Sequence, residues 1–202
     1  MQEYMKKTLD YYEVNAEEYK NQWTDDFLAN YDFTIPDIFL KFLPNGASIL
    51  DLGCGTGRDS KYFLNRGYKV TAVDGSKEFC KMASAFLKMP VRKLNFLDMD
   101  YNNEFDGVFA CASLLHLDTK DLITVLESIH KSLKNNGILY CSFKLGSDTR
   151  FDEKNRFYND MTEEKFNTIL NMLNVKYNLL KTWENNQYKS STKFINFILR
   201  SA

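Results

Sequence analysis

The sequence predicts an α/β fold: a doubly wound, mostly parallel sheet with helices on both faces. Three observations carry that expectation. From residue 48 onward, short apolar runs alternate with amphipathic stretches of helical period, the pattern of right-handed βαβ crossovers. The first apolar run ends in an acid and a glycine-rich turn that opens a helix, Ile49-Leu50-Asp51-Leu52-Gly53-Cys54-Gly55-Thr56-Gly57-Arg58. The 202 residues, 44% hydrophobic with nine Gly and three Pro, suit one globular core.

Residues 1–45 read as helical and rich in aromatics: Tyr4, Tyr11, Tyr12, Tyr19, Trp23, Phe27, Tyr31 and Phe33. Pro36 opens a helix that stops at Pro44-Asn45-Gly46. Residues 48–52 form the first strand, followed by a helix to about Asn65, and residues 68–73 form the second. Residues 76–88 are helical, with Phe79, Met82, Ala83, Phe86 and Leu87 on one face. Residues 91–94 and 105–111 supply the third and fourth strands. A helix over 119–134 turns Leu122, Leu126, Ile129 and Leu133 inward and closes at Asn136-Gly137, before a fifth strand over 138–144. Residues 145–160 are polar with little periodicity. Thr162 caps a helix carrying Phe166, Ile169, Leu170 and Leu173. Strand-like segments over 175–183 and 192–200, parted by a polar turn near 184–190, form an antiparallel hairpin.

Charge and special residues exclude several classes. The 26 basic and 27 acidic residues give a net charge of −1, and only six of the basic residues are Arg, so there is no general nucleic-acid footprint. The charged start lacks the apolar core of a secretory signal, and the weakly polar stretch 107–115 is half a membrane span. A soluble, cytoplasmic chain with no membrane partner is expected. Cys54, Cys80, Cys111 and Cys141 form no C-x-x-C pair, and His116 and His130 are the only imidazoles, so reduced thiols and no metal site are expected.

The chemistry sits at strand ends, where open α/β sheets bind ligands. The glycine spacing is G-x-G-x-G. A dinucleotide fingerprint needs a glycine at position 58, which is Arg58, so NAD is disfavoured. The second strand ends in Asp74, placed to accept hydrogen bonds from two ribose hydroxyls. Leu94-Asn95-Phe96-Leu97-Asp98 offers an apolar platform with polar groups at the next strand end. Phe105 to His116 completes the set.

In this order, residues 46–144 resemble the class I S-adenosylmethionine-dependent methyltransferases, through ILDLGCGTGR, VTAVDGS, the NFLD segment, FDGVFACASLLHL and LKNNGILYCSF. YYEVNAEEY and RFYNDMTEEKF are similar to the small-molecule branch, where such segments cover and shape the acceptor pocket. The resemblance implies a seven-stranded Rossmann-like sheet with a C-terminal antiparallel strand and an N-terminal helical lid. It implies one domain over 1–202: a cap (1–45), a cofactor-binding core (46–144), and an acceptor-side insertion with the C-terminal hairpin (145–202). The cofactor would be S-adenosyl-L-methionine and the product S-adenosyl-L-homocysteine.

The implied roles are these. Asp51, Gly53, Gly55 and Gly57 lie along the methionine part, and Asp74 holds the ribose with Gly75 and Ser76 beside it; Ser76 also reads as a helix N-cap. Asn95, Phe96 and Leu97 flank the adenine, although typical members carry a Gly-Asp pair here. Ala110 and Leu115 line the sulfonium side. Arg58 faces the positive end of its helix dipole and is placed either to pair the cofactor carboxylate or to pair Asp59 or Asp51. His116 is placed either as a general base or as a packing residue. The chain lacks the [N/D]-P-P-[Y/F] turn of exocyclic-amine enzymes and the Pro-Cys pair of cytosine-C5 enzymes. A small-molecule acceptor with an O, N or S nucleophile and metal-free, in-line transfer is therefore expected. The alternatives are an RNA-modifying methyltransferase and a non-catalytic, cofactor-binding regulatory protein.

Overall fold

The computed structural model describes residues 2–21, 33–186 and 191–202. Trp23, Phe27, Tyr31 and the tip of the expected C-terminal hairpin lie outside them. In chain order the elements are α1 (Glu3–Asn21), α2 (Thr34–Leu40), β1 (Ser48–Leu52), α3 (Arg58–Asn65), β2 (Lys69–Asp74), α4 (Lys77–Leu87) and β3 (Arg92–Lys93). They continue with β4 (Phe105–Ala110), α5 (Thr119–Ser132), β5 (Leu133–Lys144), β6 (Thr149–Phe151), β7 (Phe157–Asn159), α6 (Glu163–Asn171), β8 (Tyr177–Asn186) and β9 (Lys193–Ser201). Short 3-10 turns cover Phe96–Asp98 and Leu114–His116.

Seven strands form one sheet in the order β3-β2-β1-β4-β5-β9-β8. The first five run parallel, and β9 runs antiparallel between β5 and β8. Side chains alternate faces along each strand. Ile49, Phe109, Tyr140 and Ile198 share one face with Phe39 of α2 and Phe63 of α3, all fully buried. Leu50, Val108, Leu139 and Leu199 share the other with Leu122, Leu126 and Ile129 of α5 and Phe166 of α6. Each such side chain contributes about 1.5–3 kcal/mol of burial, so both faces of the sheet hold the fold. The crossover from α3 on one face to α5 on the other leaves a crevice at the carboxyl ends of β1 and β4.

Four expectations are corrected. The helix after β4 ends at Ser132, not at Asn136-Gly137. Leu133 pairs with Phe105 and Ile138 with Gly107, so the residues between them bulge, and Asn136 takes its left-handed φ of 61° inside β5. Leu133 is buried as the first residue of β5, so its place in the apolar period did not mark the helix end. The third strand shrinks to Arg92–Lys93. Residues 145–160 contain an antiparallel pair, β6 and β7, in place of irregular chain. The last hairpin begins at Tyr177, past Val175, with a register shift between Leu179 and Lys181. Ser76 and Thr162 cap α4 and α6 as expected, accepting from the amides of Phe79 and Lys165. All four cysteines are free thiols. Among the described residues no helix is long and apolar enough to cross a membrane, and no three His, Cys, Asp or Glu side chains converge to hold a metal.

Candidate active site

A cavity of about 1070 Å3 opens over the carboxyl ends of the strands. Its floor is the loop after β1. The amides of Gly53 and Cys54 both donate to the carbonyl of Val73, tying the loop to β2 at 2.9 Å each. Gly53 has φ +85°, and a Cβ there would stand 2.5 Å from Cβ of Ser113. Gly55 has φ +55°, and a Cβ there would meet nothing within 4 Å. The loop backbone is therefore bare to the cavity at Gly55, a cradle that any side chain would fill. Gly57 lies behind the wall as the N-cap residue of α3.

Asp74 ends β2 at the cavity edge. One carboxylate oxygen accepts from the amide of Gly55 and the other from that of Ser76, both at 2.8 Å. Burial raises its pKa to about 6, against the pull of the backbone amides of Ser76, Gly55 and Gly75. Gly75 lines the cavity. Ser76 does not: its hydroxyl accepts from Phe79 and donates to Glu13 of α1 at 2.6 Å.

Asp51 is 3% exposed, stands behind the loop and accepts from the hydroxyl of Ser60 at 2.6 Å. Burial, then the neighbouring Asp59, pushes its pKa up to about 7. Arg58 lines the cavity and forks onto both oxygens of Asp59, so of the two carboxylates considered for it within the chain it takes Asp59. A carboxyl whose folded pKa lies above its unfolded value keeps a proton that the unfolded chain has released. Folded chain then binds more protons, and stability falls as pH rises. For Asp51 the window runs from about pH 4 to about pH 7. The thermal midpoint of the wild type minus that of Asp51→Asn is therefore expected to fall across this window; a flat difference would remove the assignment. His116 titrates in both proteins and cancels in the difference; Asp74 interacts with Asp51, so the same comparison is repeated in an Asp74→Asn background.

Leu94, Asn95 and Phe96 face the cavity, whereas Leu97 packs into the core. Asn95 caps the 3-10 turn by accepting from the amide of Leu97 at 3.3 Å. Past β4, Leu115 lines the cavity and Ala110 is fully buried beneath it. The wall itself is Ala112 and Ser113. Ala112 has φ +50° and its amide donates to Ser142 at 2.8 Å.

His116 closes the far end. Its Nδ1 lies 2.6 Å from the carbonyl of Phe157 and its Nε2 2.8 Å from the hydroxyl of Tyr12. A carbonyl only accepts, so Nδ1 carries the hydrogen and the Nε2 lone pair receives the Tyr12 hydroxyl. Burial pushes the pKa down to about 4, leaving the ring neutral. Helix α1 lies over this end. Thr8 accepts from the amide of Phe157, and the hydroxyl of Tyr4 donates to Asp121.

Residues 49–137 match the family described as "Methyltransferase domain". This stretch, just under half of the chain, is similar to methyltransferase domains. The Bacillus subtilis (strain 168) protein YqeM is 36% identical over 118 residues, 51% of this chain and 46% of that protein. Glycine/sarcosine N-methyltransferase of Parasynechococcus marenigrum (strain WH8102) is 31% identical over 146 residues, 61% of this chain and 51% of the relative. The chain thus spans about half the length of these curated relatives. The crystal structure of Burkholderia thailandensis 1,6-didemethyltoxoflavin-N1-methyltransferase, with 1,6-didemethyltoxoflavin and S-adenosylhomocysteine bound, superposes with a TM-score of 0.79 at 23% identity. That likeness covers 98% of this chain and 89% of that one, and it is a likeness of fold.

Of the residues expected in the site, the fold brings Gly53, Gly55, Arg58, Asp74, Gly75, Asn95, Phe96, Leu115 and His116 to one cavity. Asp51, Gly57, Ser76, Leu97 and Ala110 stand behind its wall. Cavity residues to which the sequence assigned no individual site role are Tyr12, Ser113, Lys144, Arg156 and Tyr158. YYEVNAEEY and RFYNDMTEEKF were the available signal for three of them. Nothing local marks Lys144.

Proposed function

We propose that this domain binds S-adenosylmethionine and transfers its methyl group to an O, N or S nucleophile of a small molecule. The observation that carries the reading is the bare backbone at Gly55 beside the Asp74 carboxylate, opening into the same cavity as His116 and Tyr12. The cofactor supplies a methyl carbon already made electrophilic by its sulfonium, so no metal is needed to activate it. The protein's task is alignment and exclusion of water.

Gly53 and Gly55 admit the ligand to the backbone, and Asp74 has lone pairs left to accept the ribose hydroxyls. Asn95 and Phe96 flank the base. Asp51, Gly57, Ser76, Leu97 and Ala110 hold that wall in shape. Helix α1 acts as a lid over the core, with Tyr12 and Tyr19 lining the closed side. His116 is a positioning residue: its Nε2 accepts the Tyr12 hydroxyl and fixes where that hydroxyl stands against the acceptor. The small molecule held by the Burkholderia protein supports a small-molecule acceptor here. We read residues 1–202 as one working unit, in the cytoplasm.

The test is incubation with methyl-labelled S-adenosylmethionine and a fractionated metabolite extract, with mass spectrometry of labelled products. A labelled small molecule supports the reading. S-adenosylhomocysteine binding without any labelled product overturns it in favour of a regulatory role, and label in RNA overturns the acceptor class.

A further inference from the structure

Lys144, the last residue of β5, carries an ammonium with no anionic partner among the described residues. Its Nζ lies 3.6 Å from the centre of the Tyr158 ring. Two more cations attend the same ring, Arg150 at 5.2 Å and Arg156 at 5.4 Å. Each arginine has its own carboxylate. Arg150 donates to both oxygens of Asp160 at 2.8 and 3.2 Å, and Arg156 donates twice to Asp152 at 2.9 and 2.6 Å. Among the described residues Lys144 has neither a carboxylate nor a hydrogen-bond acceptor for its ammonium. Three cations thus share two anions, and the surplus charge rests on the one at the end of β5.

That surplus faces the cavity. Lys144, Arg156 and Tyr158 all line it. Burial, then Arg150 and Arg156, holds the Lys144 pKa below the usual lysine range, with Asp160 and Asp152 opposing more weakly. A half-buried ammonium with three donors and no acceptor is an unfavourable arrangement until an anion completes it. Ser142, two residues earlier on β5, accepts from Ala112 in the wall of the glycine loop, so the site adjoins the proposed cofactor floor. The surrounding walls are rings: Tyr12 lies 5.4 Å from His116 and 5.9 Å from Phe79, and His116 lies 4.8 Å from Tyr158. Such faces suit a planar, conjugated body.

We propose that Lys144 selects the methyl acceptor by pairing with its single negative charge, and that the acceptor is a small aromatic carboxylate seated among Tyr12, Tyr158 and His116. One unpaired cation matches a monoanion better than a phosphate dianion. This rests on the methyl-transfer reading only for the word acceptor; the binding site itself stands on the charges and rings.

The test is calorimetric titration of the full chain with benzoate and 4-hydroxybenzoate against the corresponding amides, with and without saturating S-adenosylhomocysteine. Wild type, Lys144→Met and Lys144→Arg are compared. The acids are expected to bind about tenfold or more tighter than the amides to the wild type and to Lys144→Arg. Lys144→Met is expected to lose that preference while keeping its affinity for S-adenosylhomocysteine within about twofold. Equal binding of acid and amide, a preference that survives in Lys144→Met, or no binding of either acid overturns the proposal. Failure of S-adenosylhomocysteine to bind the wild type overturns the methyl-transfer reading instead, and the arm without it still decides the role of Lys144.

Discussion

Replacing Asp74 with alanine is expected to weaken S-adenosylhomocysteine binding by roughly 100-fold, about 3 kcal/mol for two charge-assisted hydrogen bonds to ribose hydroxyls. The same carboxylate also holds the amides of Gly55 and Ser76, so the variant is expected to melt lower as well. A ligand comparison separates the two effects. An S-adenosylhomocysteine analogue lacking both ribose hydroxyls should bind the wild type weakly and the variant no worse. Equal loss for both ligands would mean that Asp74 only braces the loop. Because burial lifts its carboxyl to about 6, wild-type affinity should also weaken as pH falls through that value, and the variant should not follow.

The second large effect is expected at Gly53. Alanine there takes up φ +85°, costing about 1 kcal/mol, and brings its Cβ to 2.5 Å from Cβ of Ser113, which forces further movement worth about 1–3 kcal/mol. A total loss of about 2–4 kcal/mol follows, read by denaturant unfolding. Ser113→Gly removes the nearest atom but also the hydroxyl that donates to the Leu52 carbonyl, so the check is that Gly53→Ala costs less in a Ser113→Gly background than in the wild type. Gly55→Ala makes the contrast. It meets no protein atom and bears only the cost of about 1 kcal/mol for its φ of +55°, so it is expected to lose less stability than Gly53→Ala and to lose ligand affinity. If Gly53→Ala were as stable as the wild type, the loop would have to be freer than its contacts with Ser113 and Val73 imply.

What the sequence made legible is what a few neighbouring residues decide. An apolar run, three alternate glycines and a helix period fix β1, its loop and α3 without help from elsewhere. An acid at a strand end and serine or threonine caps are equally local, and Asp74, Ser76 and Thr162 stand where such rules put them. The acceptor end is assembled across the chain. His116 meets Tyr12 from 104 positions away and Phe157 from 41. The β6–β7 pair has three residues per strand, too short for alternation to register, and is docked by Thr8 onto Phe157. Ala112 adopts a left-handed conformation that alanine does not advertise, and it moves the wall two residues beyond Ala110.

The order of strands in the sheet has a consequence for synthesis. β9 is made after β8 yet sits between β8 and β5. As the chain leaves the ribosome, the open edge of β5 must wait for residues 193–201, and β8 has no place in the sheet until then. Tyr140 likewise waits 56 positions for the Asn196 side chain that accepts its hydroxyl. A nascent chain halted before β9 therefore lacks two strands of the sheet, not one, and presents the long, apolar rim of β5 to whatever strand or chaperone arrives first.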